Sequence, residues 1–220
     1  MTFTLINAGP SPFGRKVAIA LIEKKLDYSI QYDLPWSDKT CTPNYSPLQQ
    51  LPILVEKNGN CIYDSTYILE WLEQRYPQPA LLPRDVDKLL EAKLRQMLGE
   101  RLLDIAGSLS FELIRNNPST AWVERQTRKV RGGLEKLNEL IGDRLIADGQ
   151  PIDLGDIAVG TSLLVFETSV SFGHMPDVDV IRWRGRYPNL TRYMARLEKR
   201  PSFVATPYKT MELDLAATVA

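Results

Sequence analysis

The sequence is poor in cysteine and histidine, the residues that build disulfide frameworks and most zinc sites. Its 220 residues include two cysteines, Cys41 and Cys61, and one histidine, His174. Two cysteines are too few for a disulfide framework, and their spacing is not the Cys-x-x-Cys of a redox-active dithiol. A single histidine excludes a zinc centre built from three histidines. We therefore expect a chain without a bound metal, in a reducing compartment such as the cytoplasm.

The sequence also lacks an excess of charge of either sign and any long hydrophobic run. Lys and Arg together number 27, as do Asp and Glu. This balance gives no sign of a basic patch that would bind nucleic acid. The sequence also has no block of like charges that would suggest binding to a membrane surface. No segment approaches the roughly 18 apolar residues of a transmembrane helix, and the first residues lack the regions of a signal peptide. We expect neither nucleic acid nor a membrane among its partners.

The first part of the chain alternates between strand and helix patterns. Phe3–Ile6 is an apolar run typical of a buried strand, and residues 14–25 place apolar side chains at helical spacing. Tyr28–Tyr32 alternates apolar and polar residues, which indicates a second strand and hence a β-α-β unit. The charged residues of the helix are expected on its solvent face: Arg15, Lys16, Glu23 and Lys24.

A hairpin and a second helix follow this unit. Asn58-Gly59 separates two short apolar runs, which is the strongest short-range signal for a β-hairpin. Asp64 and Ser65 are N-cap candidates for a helix that ends near Tyr76.

The rest of the chain has helical patterns throughout. Three prolines between residues 77 and 83 indicate a linker. The predicted helices beyond it cover residues 85–115 and 120–141, and two more begin near Asp153 and Asn189. We therefore expect an α/β domain over residues 1–78 and an all-α domain over residues 86–220.

A serine stands directly before the first predicted helix, in the segment Ser11-Pro12-Phe13-Gly14-Arg15-Lys16. Free N–H groups and the helix dipole favour an anion at such a position, and proline is well tolerated in the first turn. Two interpretations follow. Ser11 either only caps the helix, or it also holds a thiolate or another small anion there.

Four segments resemble, in order, the motifs of the cytosolic glutathione transferases, and the resemblance covers essentially the whole chain. They are Ser11–Lys16, Ser46-Pro47-Leu48-Gln49-Gln50-Leu51-Pro52-Ile53-Leu54, Asp64-Ser65, and Asp153-Leu154-Gly155-Asp156-Ile157-Ala158. The first looks like the catalytic segment of the serine-type classes, and the set is most similar to bacterial members. The resemblance implies a thioredoxin-like, glutathione-binding domain at residues 1–78, a helical domain at residues 86–220 that contributes the co-substrate pocket, and a homodimer.

The resemblance also implies roles for individual residues. The thiolate of glutathione is its nucleophile, and a hydrogen bond from Ser11 would favour that ionised form. Leu51, joined to Pro52 by a cis peptide bond, would bind the cysteine part of glutathione through its backbone. Asp64 and Ser65 would hold the γ-glutamyl amine and carboxylate at a helix N-terminus. The alternatives are a trans proline before an edge strand and a simple N-cap at Asp64.

Phe13 and Gln50 complete the predicted glutathione-binding set. Phe13 belongs to the Ser11 segment. Gln50 stands where many members of the family have a lysine that holds the glycine carboxylate of glutathione. Gln50 is therefore expected to hold that carboxylate more weakly, by a hydrogen bond instead of a charge. Ser46 departs from the family in a similar way, since an asparagine is usual there.

Two features of the helical part are interpreted first as structural. Asp153 and Asp156 have the spacing of a capping box, so we expect them to stabilise the fold and not to take part in catalysis. Large aromatic side chains are more often core than binding residues, but five are also candidates for an apolar co-substrate pocket: Trp36, Tyr45, Phe111, Trp122 and Phe166.

The sequence thus supports three hypotheses about function. The leading one is a glutathione transferase that conjugates the thiolate of glutathione to small, electrophilic, apolar compounds. The second is another glutathione-dependent reaction, namely isomerisation, dehalogenation or peroxide reduction, since each would use the same thiolate. The third is a non-catalytic binding or regulatory member of the fold, because fold alone does not fix function.

Overall fold

A four-stranded sheet with two helices forms the first part of the chain in the computed structural model, which describes residues 3–144, 146–147, 149–173 and 178–211. His174 lies outside the described residues. The strands are β1 Phe3–Asn7, β2 Tyr28–Tyr32, β3 Ile53–Val55 and β4 Cys61–Ile62, and the helices are α1 Pro12–Glu23 and α2 Ser65–Arg75. These elements confirm the predicted β-α-β unit, hairpin and following helix.

The sheet has the strand order β2-β1-β3-β4, with β1 at its centre. β1 pairs in parallel with β2 and antiparallel with β3, and β3 pairs antiparallel with β4. The central strand is buried because Phe3, Leu5 and Ile6 are apolar. β2 is an edge strand and most of its side chains are exposed.

The second part of the chain is helical. Its helices are α3 Val86–Leu113, α4 Thr120–Ile141, α5 Leu154–Ser171, α6 Pro188–Leu197 and α7 Pro201–Val204. A short 3-10 turn, Asp179–Ile181, lies between α5 and α6, and another, Thr42–Asn44, lies between β2 and β3. α3 packs against α4 and α5, and α6 packs against α4. The four long helices confirm the prediction. The four-residue α7 was not predicted because it is too short to show a periodic pattern. The exact division at residues 78 and 86 remains a prediction.

The charged side of α1 is not on the surface, so that prediction was wrong. α1 packs against α2, α5 and α7, and its charged residues contact groups from distant parts of the chain. The Arg15 guanidinium donates to the Phe203 carbonyl, and the Lys16 ammonium pairs with Glu100. Lys24, also buried, donates to the carbonyls of Tyr76 and Pro79 and pairs with Glu73. A helical pattern in the sequence predicts that charged side chains face solvent. Here most of these charged side chains are buried and bind partners from other elements.

Glu23 ties the end of α1 to the segment that begins α7. Both of its carboxylate oxygens accept hydrogen bonds of 2.7 Å from the Arg200 guanidinium, and Ser202 also donates to it. Burial alone would raise the pKa of Glu23, but the hydrogen bonds from Arg200 and Ser202 outweigh it and leave this pKa below its ordinary value. The pair is therefore stronger while Glu23 is ionised.

This pair makes the free energy of unfolding depend on pH in the acid range. Because the pKa is lower in the folded state, the contribution of Glu23 is complete above its unfolded pKa and is lost as the pH falls through the folded pKa. We expect Glu23→Gln to destabilise the protein by about 1–2 kcal/mol at neutral pH. The difference from the wild type should shrink below about pH 4. Urea unfolding at several pH values measures this difference in the free energy of unfolding. Glu91→Gln is the control, because Glu91 is exposed. A difference that does not change with pH would contradict this account.

Candidate active site

Ser11 is the N-cap of α1. Its Oγ accepts a hydrogen bond of 3.2 Å from the backbone N–H of Gly14. The Ser11 N–H donates to the Ala8 carbonyl at 3.0 Å, which closes a turn between β1 and the helix. A hydroxyl has lone pairs to accept with and one proton to donate. The capping bond uses a lone pair, so the proton is left for an anion at the helix N-terminus. The two interpretations of Ser11 are therefore compatible.

The segment before β3 lies beside Ser11. The Leu51–Pro52 peptide bond is cis, which confirms the prediction for this bond. Gln49 has a positive φ of 52°, and Gln49, Gln50, Leu51 and Pro52 all line the same cavity as Ser11. The strand β3 begins directly after this segment, at Ile53.

Asp64 and Ser65 begin α2. The Asp64 carboxylate caps the helix by accepting from the N–H groups of Thr66 at 2.7 Å and Tyr67 at 3.3 Å. Ser65 is the first helical residue and is buried. The capping prediction for Asp64 is thus confirmed, and the N-terminus of α2 faces the cavity as that of α1 does. Two helix N-termini favour negative charge there.

A buried ion pair connects these two helices to α3. The Lys16 ammonium lies 2.5 Å from Glu100 Oε1, and the Thr66 hydroxyl donates to Glu100 Oε2 at 3.0 Å. Burial lowers the pKa of Lys16, although Glu100 acts in the opposite direction. No local pattern could predict this pair, because its members are 84 positions apart in the sequence.

One cavity of about 540 Å³ brings the predicted residues together. Every residue predicted for catalysis or glutathione binding lines it: Ser11, Phe13, Gln50, Leu51, Pro52, Asp64 and Ser65. The structure therefore places these residues at one site, while their individual roles remain predictions.

The far wall of the cavity comes from the helical part and is largely apolar. It includes Leu103, Ala106, Phe111, Val165 and Phe166. Trp36 reaches this wall from the loop after β2, and its ring lies edge-on to Phe111 with a centroid distance of 6.4 Å. Three of the five candidate aromatic residues thus line the cavity, while Tyr45 and Trp122 do not.

Asp104 is a lining residue that the sequence analysis missed. It lies on α3, where it was one of many charged residues in a helical pattern. Burial raises the pKa of Asp104, and the carboxylates of Glu100 and Asp64 raise it further. The positive charges of Arg101 and Lys16 lower this pKa, but not enough to offset the burial. Asp64 and Asp104 are the charged residues in the described lining, so its polar end is acidic.

Among the described residues, no group of three or more His, Cys, Asp or Glu side chains is arranged to hold a metal ion. No helix in the described part of the chain is both long and apolar enough to cross a membrane. Cys41 and Cys61 are both free thiols.

Comparison with known proteins identifies the family. Residues 5–80 match the family model of the glutathione S-transferase N-terminal domain, and residues 120–196 match that of the C-terminal domain. A glutathione S-transferase from Methylobacterium radiotolerans, solved in complex with glutathione sulfonate, is 41% identical with a TM-score of 0.85, over 97% of this chain and 99% of that one.

Two curated proteins are also similar. The uncharacterized GST-like protein YibF of Escherichia coli is 28% identical over 92% of this chain and 96% of its own length. A maleylacetoacetate isomerase of Pseudomonas aeruginosa is 30% identical over 69% of this chain and 76% of its own. With both domains matched and a thioredoxin-like domain followed by a helical one, the chain belongs to the glutathione S-transferase family.

Proposed function

We propose that this protein is a glutathione transferase that adds the thiolate of glutathione to small, electrophilic, apolar compounds. One observation carries the proposal. A single cavity has Ser11, the Leu51–Pro52 segment and the N-terminus of α2 on one side, and an apolar, aromatic wall on the other. The first side suits a peptide with a thiol, and the second suits an apolar partner for it.

Glutathione would bind along the first side. Its γ-glutamyl carboxylate would accept from N–H groups at the start of α2 near Ser65, where an anion is favoured. Its amine would lie near Asp64, and the acidic Asp104 adds to the field that attracts it. Leu51 would pair with the cysteine part through its backbone. Gln50 would hold the glycine carboxylate by a hydrogen bond. The similar Methylobacterium protein was solved with glutathione sulfonate bound.

Ser11 would act on the sulfur atom. A free thiol has a pKa of about 8.5, so only a small fraction is ionised at neutral pH. A hydrogen bond from the Ser11 hydroxyl and the positive end of the α1 dipole would lower that pKa. With an aryl halide, the thiolate forms a carbon–sulfur bond, the carbon–halogen bond breaks, and halide leaves. The thiol proton goes to solvent. The cavity supplies both activation and positioning.

Glutathione-dependent isomerisation is the second candidate, because a maleylacetoacetate isomerase is among the similar proteins. Such a substrate carries carboxylates. The wall that faces the co-substrate is built largely from apolar residues, including Leu103, Phe111 and Phe166. Burying carboxylates against such a wall is costly, which favours conjugation of uncharged compounds over isomerisation. Dehalogenation and peroxide reduction would use the same thiolate and have no observation of their own in their favour.

Retention on immobilised glutathione, followed by turnover assays, tests the proposal. We expect the protein to bind the matrix, to elute with free glutathione, and to conjugate 1-chloro-2,4-dinitrobenzene faster than it isomerises maleylacetoacetate. Isomerisation as the faster reaction would favour the second candidate. Retention with no turnover of any electrophile would favour a binding role. Failure to bind glutathione would exclude all the glutathione-dependent reactions. A cytoplasmic location is part of the proposal, since glutathione is kept reduced there.

We also propose that the protein is a homodimer, and an exposed apolar surface supports this. Val86, Leu90, Leu94 and Met97 are exposed and recur on one side of α3, and Tyr67 of α2 is exposed as well. Spacings of three and four residues place these α3 side chains in one stripe. A second copy of the chain would cover such a stripe by two-fold symmetry.

Leu90→Glu is expected to shift the protein from dimer to monomer, because it places a charge in the stripe. Sedimentation velocity at several concentrations measures the change. Val204→Glu is the matched control: Val204 lies on α7 and is 63% exposed, close to the 62% of Leu90. A wild type that sediments as a monomer at all concentrations would contradict the proposed dimer.

A further inference from the structure

The end of the described chain returns to the turn that carries Ser11. Residues 207–211, which we call the C-terminal strap, run beside Gly9. The Lys209 N–H donates to the Gly9 carbonyl at 3.1 Å. The Gly9 N–H donates to the Met211 Sδ at 2.9 Å, across 202 positions of sequence. Both backbone hydrogen-bonding groups of Gly9 are therefore bound by the strap.

Gly9 is a central residue of the turn that fixes the position of Ser11. The turn begins at Ala8 and is closed by the hydrogen bond from the Ser11 N–H to the Ala8 carbonyl. Ala8, Pro10 and Ser11 line the cavity, and the strap contacts Gly9 between them. The strap thus supports the turn directly next to the residues that form the cavity wall.

The fit between the strap and Gly9 leaves no room for a side chain. A Cβ atom at Gly9 would lie 2.8 Å from the Lys209 carbonyl oxygen, 3.1 Å from the Lys209 Cβ and 3.2 Å from the Met211 Cγ. The first of these is a backbone atom, so the strap or the turn would have to shift. Glycine is required here by close approach of two backbones.

The strap is itself held by other parts of the molecule. The Tyr208 hydroxyl donates to the Thr161 carbonyl of α5 at 2.9 Å. The Arg15 guanidinium of α1 lies 4.3 Å from the centre of the Tyr208 ring. The Lys209 ammonium lies 4.8 Å from the centre of the Tyr32 ring at the sheet edge. Contacts with α5, α1 and β2 therefore fix the strap relative to both parts of the fold.

We propose that the C-terminal strap is a positioning element for Ser11, and that Gly9 and Met211 are its positioning residues. This inference rests on the proposed function. By binding the N–H and the carbonyl of Gly9, the strap holds the turn so that the Ser11 hydroxyl points at the glutathione sulfur. Displacing the strap would leave glutathione bound through Leu51, Asp64 and Ser65 but would weaken the hydrogen bond that favours the thiolate.

Gly9→Ala and Met211→Ala test the proposal, with Gly132→Ala as the matched control. A Cβ at Gly132, on α4, meets no atom within 4 Å. Gly9→Ala pushes the strap away, and Met211→Ala removes the acceptor of the Gly9 N–H and adds no bulk. The readouts are the pKa of enzyme-bound glutathione, from the ultraviolet absorbance of its thiolate, and kcat and KM for glutathione with 1-chloro-2,4-dinitrobenzene. Met211→Ala gives an answer even if Gly9→Ala fails to fold.

We expect both strap variants to raise the pKa of the bound thiol towards the free value and to lower kcat about tenfold. KM for glutathione should change little, and Gly132→Ala should behave as the wild type. Strap variants that lose thermal stability but keep the thiol pKa and kcat of the wild type would overturn the positioning role. A wild type that neither binds glutathione nor lowers its thiol pKa would instead overturn the proposed function, and the strap proposal with it.

Discussion

Replacing Ser11 by alanine is expected to lower kcat/KM for conjugation by about 10- to 100-fold. A hydrogen bond to an anion contributes about 1.5–3 kcal/mol, and each 1.4 kcal/mol corresponds to a factor of about ten. The Ser11 hydroxyl lies at the N-terminus of α1 and lines the cavity. Its loss should raise the pKa of bound glutathione, so the rate at neutral pH should fall more than the rate at high pH. Steady-state kinetics over a range of pH measure both effects.

The control for Ser11→Ala must separate catalysis from helix capping. Ser11 accepts from the Gly14 N–H, so its loss should also cost about 1 kcal/mol of stability. Ser119 caps α4 in the same way, by accepting from the Trp122 N–H, and it does not line the cavity. Ser119→Ala should lose stability and keep activity. If Ser11→Ala behaves like Ser119→Ala in both respects, Ser11 is only a cap.

Replacing Asp156 by alanine is expected to lower the free energy of unfolding by about 3–5 kcal/mol. Asp156 is completely buried. Its carboxylate accepts from the Tyr193 hydroxyl at 2.6 Å, from the Arg144 guanidinium at 2.9 Å and from the Asp153 N–H at 3.0 Å. The Asp153 carboxylate accepts from the Asp156 N–H in turn, which completes the predicted capping box of α5. Alanine would leave these groups without their shared acceptor.

Asp143→Ala is the matched control for this prediction. Asp143 also pairs with an arginine, Arg192, but its side chain is fully exposed and the contact is 3.4 Å. Exposed pairs of this kind contribute little to stability, so the change should be within about 0.5 kcal/mol. Denaturant unfolding compares the two variants. An Asp156→Ala protein as stable as Asp143→Ala would contradict the structural role assigned to the capping box.

Local patterns in the sequence were sufficient for most of the fold. The alternation in Tyr28–Tyr32, the Asn58-Gly59 turn and the N-cap at Asp64 depend on neighbouring residues, and the structure has each of them. The predicted site residues were found because the resemblance links short motifs that the fold brings to one cavity.

Contacts between distant residues could not be predicted in this way. The burial of Lys16 depends on Glu100, and the position of the strap depends on Gly9, and neither pair shares a local pattern. Charged residues on α1 were assigned to solvent because a single helix does not reveal what covers its other side. Asp104 was missed for the same reason, since nothing near it in the sequence marks the side of α3 that lines the cavity.

The aromatic residues show the same limit. Trp36 and Phe111 lie in different parts of the fold and meet at the cavity, whereas Trp122 lies on α4 and does not line the cavity. All of them are large aromatic residues in the sequence. The residues that line the cavity are selected by the packing of the loop after β2, of α3 and of α5, which no local pattern shows.

We propose that this cavity binds glutathione with its sulfur ionised beside Ser11. The most direct measurement is a pH titration of the thiolate absorbance of glutathione mixed with excess protein, compared with glutathione alone and with the Ser11→Ala variant. We expect the wild type to move the midpoint of this titration well below the free value of about 8.5, and Ser11→Ala to return the midpoint towards that value. If the midpoint with the wild type equals that of free glutathione, the cavity does not stabilise the thiolate and the proposed role of Ser11 is wrong.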